Sequence, residues 1–165
     1  VVEFSYSDGT TPDVPAGAGL VLAGGAALPV YISGEHALET QLNVGVKYRT
    51  IPPASNQSAN WLRFPVEALL MYRGPSGFRV GAGTTLHFLK WLEASGDAVN
   101  DKVTFKSTPG FIVQADYLFG KWSFDVRYTA LTYEADESAS KIGASSFGGG
   151  VSYWFGKGGT ENPGN

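Results

Sequence analysis

The chain has 165 residues and a formal net charge of -3, with 22 Gly, 10 Phe, 8 Tyr and 4 Trp but only 16% charged residues. One domain fits that length, and the joint wealth of the smallest side chains and the largest rings argues against an ordinary soluble helical domain. The lack of a basic patch argues against nucleic acid as a partner, and the absence of cysteine excludes a disulfide scaffold or a Cys-ligated metal centre while suiting export through an oxidising compartment.

No basic segment leads into an apolar run at the N-terminus, so any secretory signal is expected to have been removed. Val2, Phe4 and Tyr6 alternate with Val1, Glu3 and Ser5 and predict a short first strand, followed by a polar link from Asp8 to Pro15. The uncharged stretch Ala16 to Ser33 is short for a helical span and carries Gly17, Gly19, Gly24, Gly25 and Pro29, so residues 18 to 33 are expected as a second strand. From 37 to 50 the alternation is clean: Leu38, Thr40, Leu42, Val44, Val46 and Tyr48 against Glu39, Gln41, Asn43, Gly45, Lys47 and Arg49. Residues 61 to 72 set Leu62, Phe64, Val66, Ala68, Leu70 and Tyr72 against Arg63, Pro65, Glu67, Leu69 and Met71.

Phe78, Val80, Ala82, Thr84, Leu86 and Phe88 then oppose Arg79, Gly81, Gly83, Thr85 and His87. Phe111, Val113, Ala115, Tyr117 and Phe119 oppose Ile112, Gln114, Asp116 and Leu118, and Trp122, Phe124, Val126, Tyr128 and Ala130 oppose Ser123, Asp125, Arg127 and Thr129. The last segment places Phe147, Gly149, Val151, Tyr153 and Phe155 against Ser146, Gly148, Gly150, Ser152 and Trp154. In the segments from residue 37 onward no Asp, Glu, Lys or Arg enters the apolar phase. A period of two, repeated in this way, predicts antiparallel strands with one oily face and one polar face.

The links alternate in length. Short ones lie at Gly34 to His36, Arg73 to Gly77 and Gly120 to Lys121, and longer polar ones at Asp8 to Pro15, Ile51 to Asn60, Lys90 to Pro109 and Glu134 to Lys141. Tyr72, Phe78, Phe119, Trp122 and Phe155 flank the short links, and Tyr48, Phe88 and Phe111 stand toward the long ones, as two aromatic girdles would.

Alternation alone does not say which face is inward, because a lipocalin-like soluble barrel has its apolar phase inside. Side-chain volume decides. An eight-stranded interior is only just wide enough for side chains to fill, and it could not hold the rings of Phe64, Tyr117, Phe124, Tyr128 and Phe147 together with the girdle residues. The opposite phase is small or polar. Its charges are Lys47, Arg49, Arg63, Arg79 and Arg127 against Glu3, Glu39, Glu67, Asp116 and Asp125, a balance that suggests one cross-strand network plugging the interior.

These features resemble the OmpA-like and OmpX-like eight-stranded outer-membrane barrels over residues 1 to 156, with 157 to 165 as a flexible C-terminal tail. The expected fold is therefore all-β, an eight-stranded antiparallel up-and-down transmembrane β-barrel. The resemblance implies integral placement in the bacterial outer membrane, with periplasmic termini and extracellular long loops. It implies lipopolysaccharide and outer-membrane lipid as surroundings. Tyr153 and Phe155 look like the signal read by the barrel-assembly machinery, although the chain continues past them. The function expected is non-enzymatic, structural or surface-interacting through an envelope or extracellular protein partner at the outer loops. No cofactor is expected.

His36 lies in a short link and His87 in the polar phase, so neither faces lipid as a lipid A-modifying enzyme would require. His87, Asp116 and an interior Ser could be imagined as a triad, but nothing supplies an oxyanion hole. Gly81, Gly83 and the run Gly148 to Gly150 are followed by no Lys-Ser/Thr pair and read as close packing. Asp97, Asp101, Glu134, Asp136 and Glu137 match no cation-loop spacing and read as solvated loop charge. Pro29 and Pro65 fall inside strands; similar interruptions in the OmpW-like branch of small barrels imply a lateral exit for hydrophobic molecules, which makes a passive transporter or narrow channel the alternative function.

Overall fold

The computed structural model describes residues 2–3, 13–14, 19–51, 58–95, 102–135 and 141–155. Its strands are β1 (Val2–Glu3), β2 (Asp13–Val14), β3 (Leu20–Ser33), β4 (His36–Ile51), β5 (Ser58–Arg73), β6 (Phe78–Ser95), β7 (Lys102–Ser107), β8 (Gly110–Phe119), β9 (Trp122–Ala130), β10 (Thr132–Ala135), β11 (Lys141–Gly143) and β12 (Ser146–Tyr153). The last ten form one antiparallel sheet curled into a half-barrel. Because β7 runs on toward β8, β9 toward β10 and β11 toward β12, the sheet follows seven courses in an up-and-down meander: β3, β4, β5, β6, β7/β8, β9/β10, β11/β12.

The uncharged stretch forms β3, a strand, and its Pro29 sits where the register with β4 shifts between Pro29 and Tyr31. That position suits proline, since β3 is an edge of the sheet and a bulge absorbs the missing donor. Three hairpin turns are tight, and the left-handed φ values of Gly34 (59°), Gly77 (81°) and Gly120 (61°) explain glycine at each.

Two expectations need correction. Of the strand expected over Val2 to Tyr6 beside the wall, Val2–Glu3 pairs instead with Asp13–Val14 as a separate small sheet; residues 4 to 12 lie outside the described residues. Among the described residues β3 and β12 do not pair, so the seven courses do not close on themselves. Much of the long links is strand: β4 runs to Ile51, β5 starts at Ser58, β6 reaches Ser95, and β7, β10 and β11 extend the wall. In residues 102 to 106, Val103 and Phe105 alternate with Lys102, Thr104 and Lys106, a strand pattern that its charge disguises as loop. The links' acidic residues, Asp97, Asp101, Asp136 and Glu137, lie outside the described residues, as does the tail from 156.

The two faces of the sheet are inverted relative to an ordinary soluble protein. Arg63, Arg79 and Asp116 are 0%, 2% and 3% exposed, whereas Leu22 is 81% and Phe147 78% exposed. Every girdle residue named above faces outward and is exposed. On the inner face Leu69, Met71 and Ile112 form an apolar knot, laid over Gly81 and Gly83 of β6. A Cβ at Gly83 would run into the backbone of Ala68 and Leu69, and one at Gly81 into Leu70 and Met71. Glycine there is the condition for close approach of β5 and β6.

Candidate functional site

The inner face carries the concentrated chemistry, arranged in tiers from the short-turn end to the long-hairpin end. In the lowest tier the ladder places Arg79 of β6 directly opposite Asp116 of β8. Arg79 donates from Nε to Oδ1 at 2.7 Å and from Nη2 to Oδ2 at 2.9 Å, a two-pronged pair, and from Nη1 to Glu39 Oε2 at 3.2 Å. The other oxygen of Glu39 accepts from Arg73 Nε at 2.8 Å, and Gln114 Nε2 donates to Asp116 Oδ2 at 3.0 Å. The indole of Trp154 closes this tier, with the Arg79 guanidinium 4.5 Å from its ring centre and its Nε1 donating to Ser123 Oγ at 3.0 Å. Planar guanidinium matched to carboxylate and stacked on an indole is the arrangement that best tolerates a buried cation.

Glu67, Asp125 and Arg127 make the middle tier. Arg127 donates from Nη1 to Glu67 at 3.3 Å and from Nε to Asp125 at 3.1 Å. Asn43 donates to the same Glu67 oxygen at 3.1 Å, and Gln41 to Asn43 Oδ1 at 3.3 Å. The Leu69, Met71 and Ile112 knot stands beside the step between this tier and the lowest one. The pairs of Arg73 and Arg79 with Glu39 and Asp116 and those of Arg127 with Glu67 and Asp125 lie on adjoining rungs, since Asp116 stands opposite Asp125 on the ladder.

The upper tier is cationic and aromatic. Lys47 of β4 faces Arg63 of β5 across the ladder, and Arg49 faces Trp61. The Arg63 guanidinium lies 4.4 Å from the Trp61 ring centre and its Nη1 is 3.5 Å from the Tyr133 hydroxyl. That hydroxyl also meets His87 Nδ1 at 2.5 Å, and the Trp61 and Tyr133 rings sit 5.3 Å apart.

The inner phase was expected to be small or polar, yet Trp61, Tyr133 and Trp154 point inward. The signal for Trp61 was available, since it shares the phase of Arg63. Tyr133 was hidden because the strand was expected to stop before it, and Arg73 because it was assigned to a turn. Glu3 belongs to β1, and its side chain lies outside the described ones. His87 and Asp116 are held by different partners in different tiers, so the structure does not bring that imagined triad together. Among the described residues no group of three or more His, Asp or Glu is placed to hold a metal.

On the outer face His36 stacks on Tyr72, its Nδ1 2.6 Å from the phenol, and Trp122, Tyr153 and Phe155 meet edge to face at 5.0 Å spacings. At the opposite end Tyr48 donates to Asn60 at 2.8 Å. No family model, curated protein or solved structure matches the chain.

Proposed function

We propose that the seven courses of this half-barrel are most of the wall of an eight-stranded barrel set in the bacterial outer membrane, completed by one further course between β3 and β12, and that it works as a non-enzymatic structural or surface-interacting protein. The carrying observation is the inversion of faces: large apolar side chains stand exposed on one side while Arg63, Arg79 and Asp116 are buried on the other. In water such a contiguous apolar surface promotes aggregation; in a bilayer it is the solvent-matched face. The aromatic rings at both ends suit the two lipid-water boundaries. On this reading the short turns and the termini are periplasmic, the long hairpins meet lipopolysaccharide and a protein partner outside, and Tyr153 and Phe155 serve the assembly machinery.

The tiers of paired charge act as a plug. Three Arg residues paired to carboxylates, with Arg79 covered by the Trp154 indole, leave little room for a hydrated ion path. The alternative, an OmpW-like passive transporter, draws on one observation: the β4–β5 ladder is interrupted at Gly45–Val46 against Phe64–Pro65, with the register unchanged on either side. A proline in a central strand removes a donor and weakens the wall there.

Electrophoresis with and without boiling tests the barrel, which is expected to migrate differently in the two states. Planar-bilayer recording then separates the functions: the plug predicts little current, and reproducible conductance steps would favour the transporter instead. Mass spectrometry of lipid A with and without the protein checks the enzymatic reading, which predicts a changed acyl pattern where the plug predicts none.

A further inference from the structure

Where the long hairpins leave the common wall, a line of defects crosses neighbouring strands. The β5–β6 register shifts between Leu62 and Phe64. β7 ends at Ser107 and β8 starts at Gly110, β9 ends at Ala130 and β10 starts at Thr132, and β11 ends at Gly143 and β12 starts at Ser146. Below the line Phe111 pairs with Ala130, but above it Ser107 pairs with Tyr133, one residue out of step.

Substitute bonds bridge the line. The Ser107 hydroxyl accepts from His87 N–H at 3.2 Å and donates to His87 C=O at 3.0 Å, in place of a ladder bond. Thr108 N–H donates to Thr132 C=O at 3.1 Å and Ala144 N–H to Leu131 C=O at 2.8 Å. A Cβ at Gly110 would strike the side chain of Leu131, so glycine lets that buried residue pass under the bend. Each bulge or break bends and twists its own strand. Aligned across the sheet, they make a crease.

Beyond the crease the tip of β6 pairs on one side with the tip of β5, itself paired with β4, and on the other side with β7, which leads on through β10 to β11; β7, β10 and β11 form an extension of the wall. Tyr133 of this extension is fully buried on the inner face, against Trp61 above the crease, Arg63 at it and His87 below it. We propose that the extension is a cover that pivots at the crease, and that Tyr133 is the latch that holds it over the cationic upper tier. This goes beyond a static plug, because the same wall then has a closed state and an opened one that differ at the buried contacts of Tyr133.

Hydrogen exchange of the full chain in detergent micelles, read by mass spectrometry, tests it. Tyr133→Phe keeps the ring and removes the hydroxyl, and is expected to speed amide exchange in β7, β10 and β11 by about tenfold while β8 and β9 are unchanged. Ser107→Ala, which removes the bridge to His87, is expected to give the same pattern. Exchange in the extension that stays at the parental rate in Tyr133→Phe would overturn the latch, and equal acceleration of β8 and β9 would overturn the pivot. The readout needs only a folded sheet, so it stands whether or not the chain proves to span a membrane.

Discussion

Arg79 and Asp116 occupy opposite positions on β6 and β8, and the guanidinium meets the carboxylate through two hydrogen bonds of 2.7 and 2.9 Å. Both side chains are buried, so each holds the other's charge out of water. Replacing Arg79 or Asp116 singly by Ala is expected to cost about 3 to 5 kcal/mol, because the remaining charge is left buried without its main partner. The double replacement is expected to cost less than the sum of the two, with a coupling of about 0.5 to 3 kcal/mol. Denaturant unfolding of the four proteins in detergent measures this. Strict additivity would mean that the interior is wet enough to solvate each group alone.

Glycines of the wall separate by the space beside them. At Gly83 an added Cβ meets the Ala68 and Leu69 backbone, while at Gly24 nothing lies within 4 Å. Gly83→Ala is therefore expected to destabilise by about 1 to 3 kcal/mol through overpacking. Gly24→Ala is expected to change stability by less than about 0.5 kcal/mol, as for an ordinary surface site. The same unfolding assay compares them, and equal costs would mean that β5 and β6 can move apart freely.

Val126 is 51% exposed on the outward face of β9. If that face lies in the hydrocarbon layer, Val126→Arg should cost about 2 to 4 kcal/mol when unfolding is measured from lipid vesicles. On a water-facing wall the same change should stay within about 0.5 kcal/mol.

The strands from residue 37 onward were legible because period-two alternation is strong wherever one face is buried and the other is oily. Arg79 and Asp116 could be placed on the inner face from phase alone. Their direct opposition could not, since it depends on the register fixed by the 108 to 110 break and the glycine turns. The upper tier was obscured for a different reason. Tyr133 lies past Leu131, where a polar and acidic run imitates a loop, so the continuation of the strand was invisible without its partner Ser107. The facing of β3 was the least accessible feature, because Leu20 to Ser33 is apolar in both phases and gives no inward or outward signal.

Collisional quenching by brominated lipid tests the central claim most directly. Trp122 is exposed on the outer face, and Trp61 is buried within the inner one. In single-tryptophan variants with the other three replaced by Phe, reconstituted in vesicles, Trp122 should be quenched strongly and Trp61 hardly at all. Equal quenching of both, or a Trp122 signal untouched by bromine in a protein that remains monomeric without detergent, would contradict an inverted barrel in a bilayer.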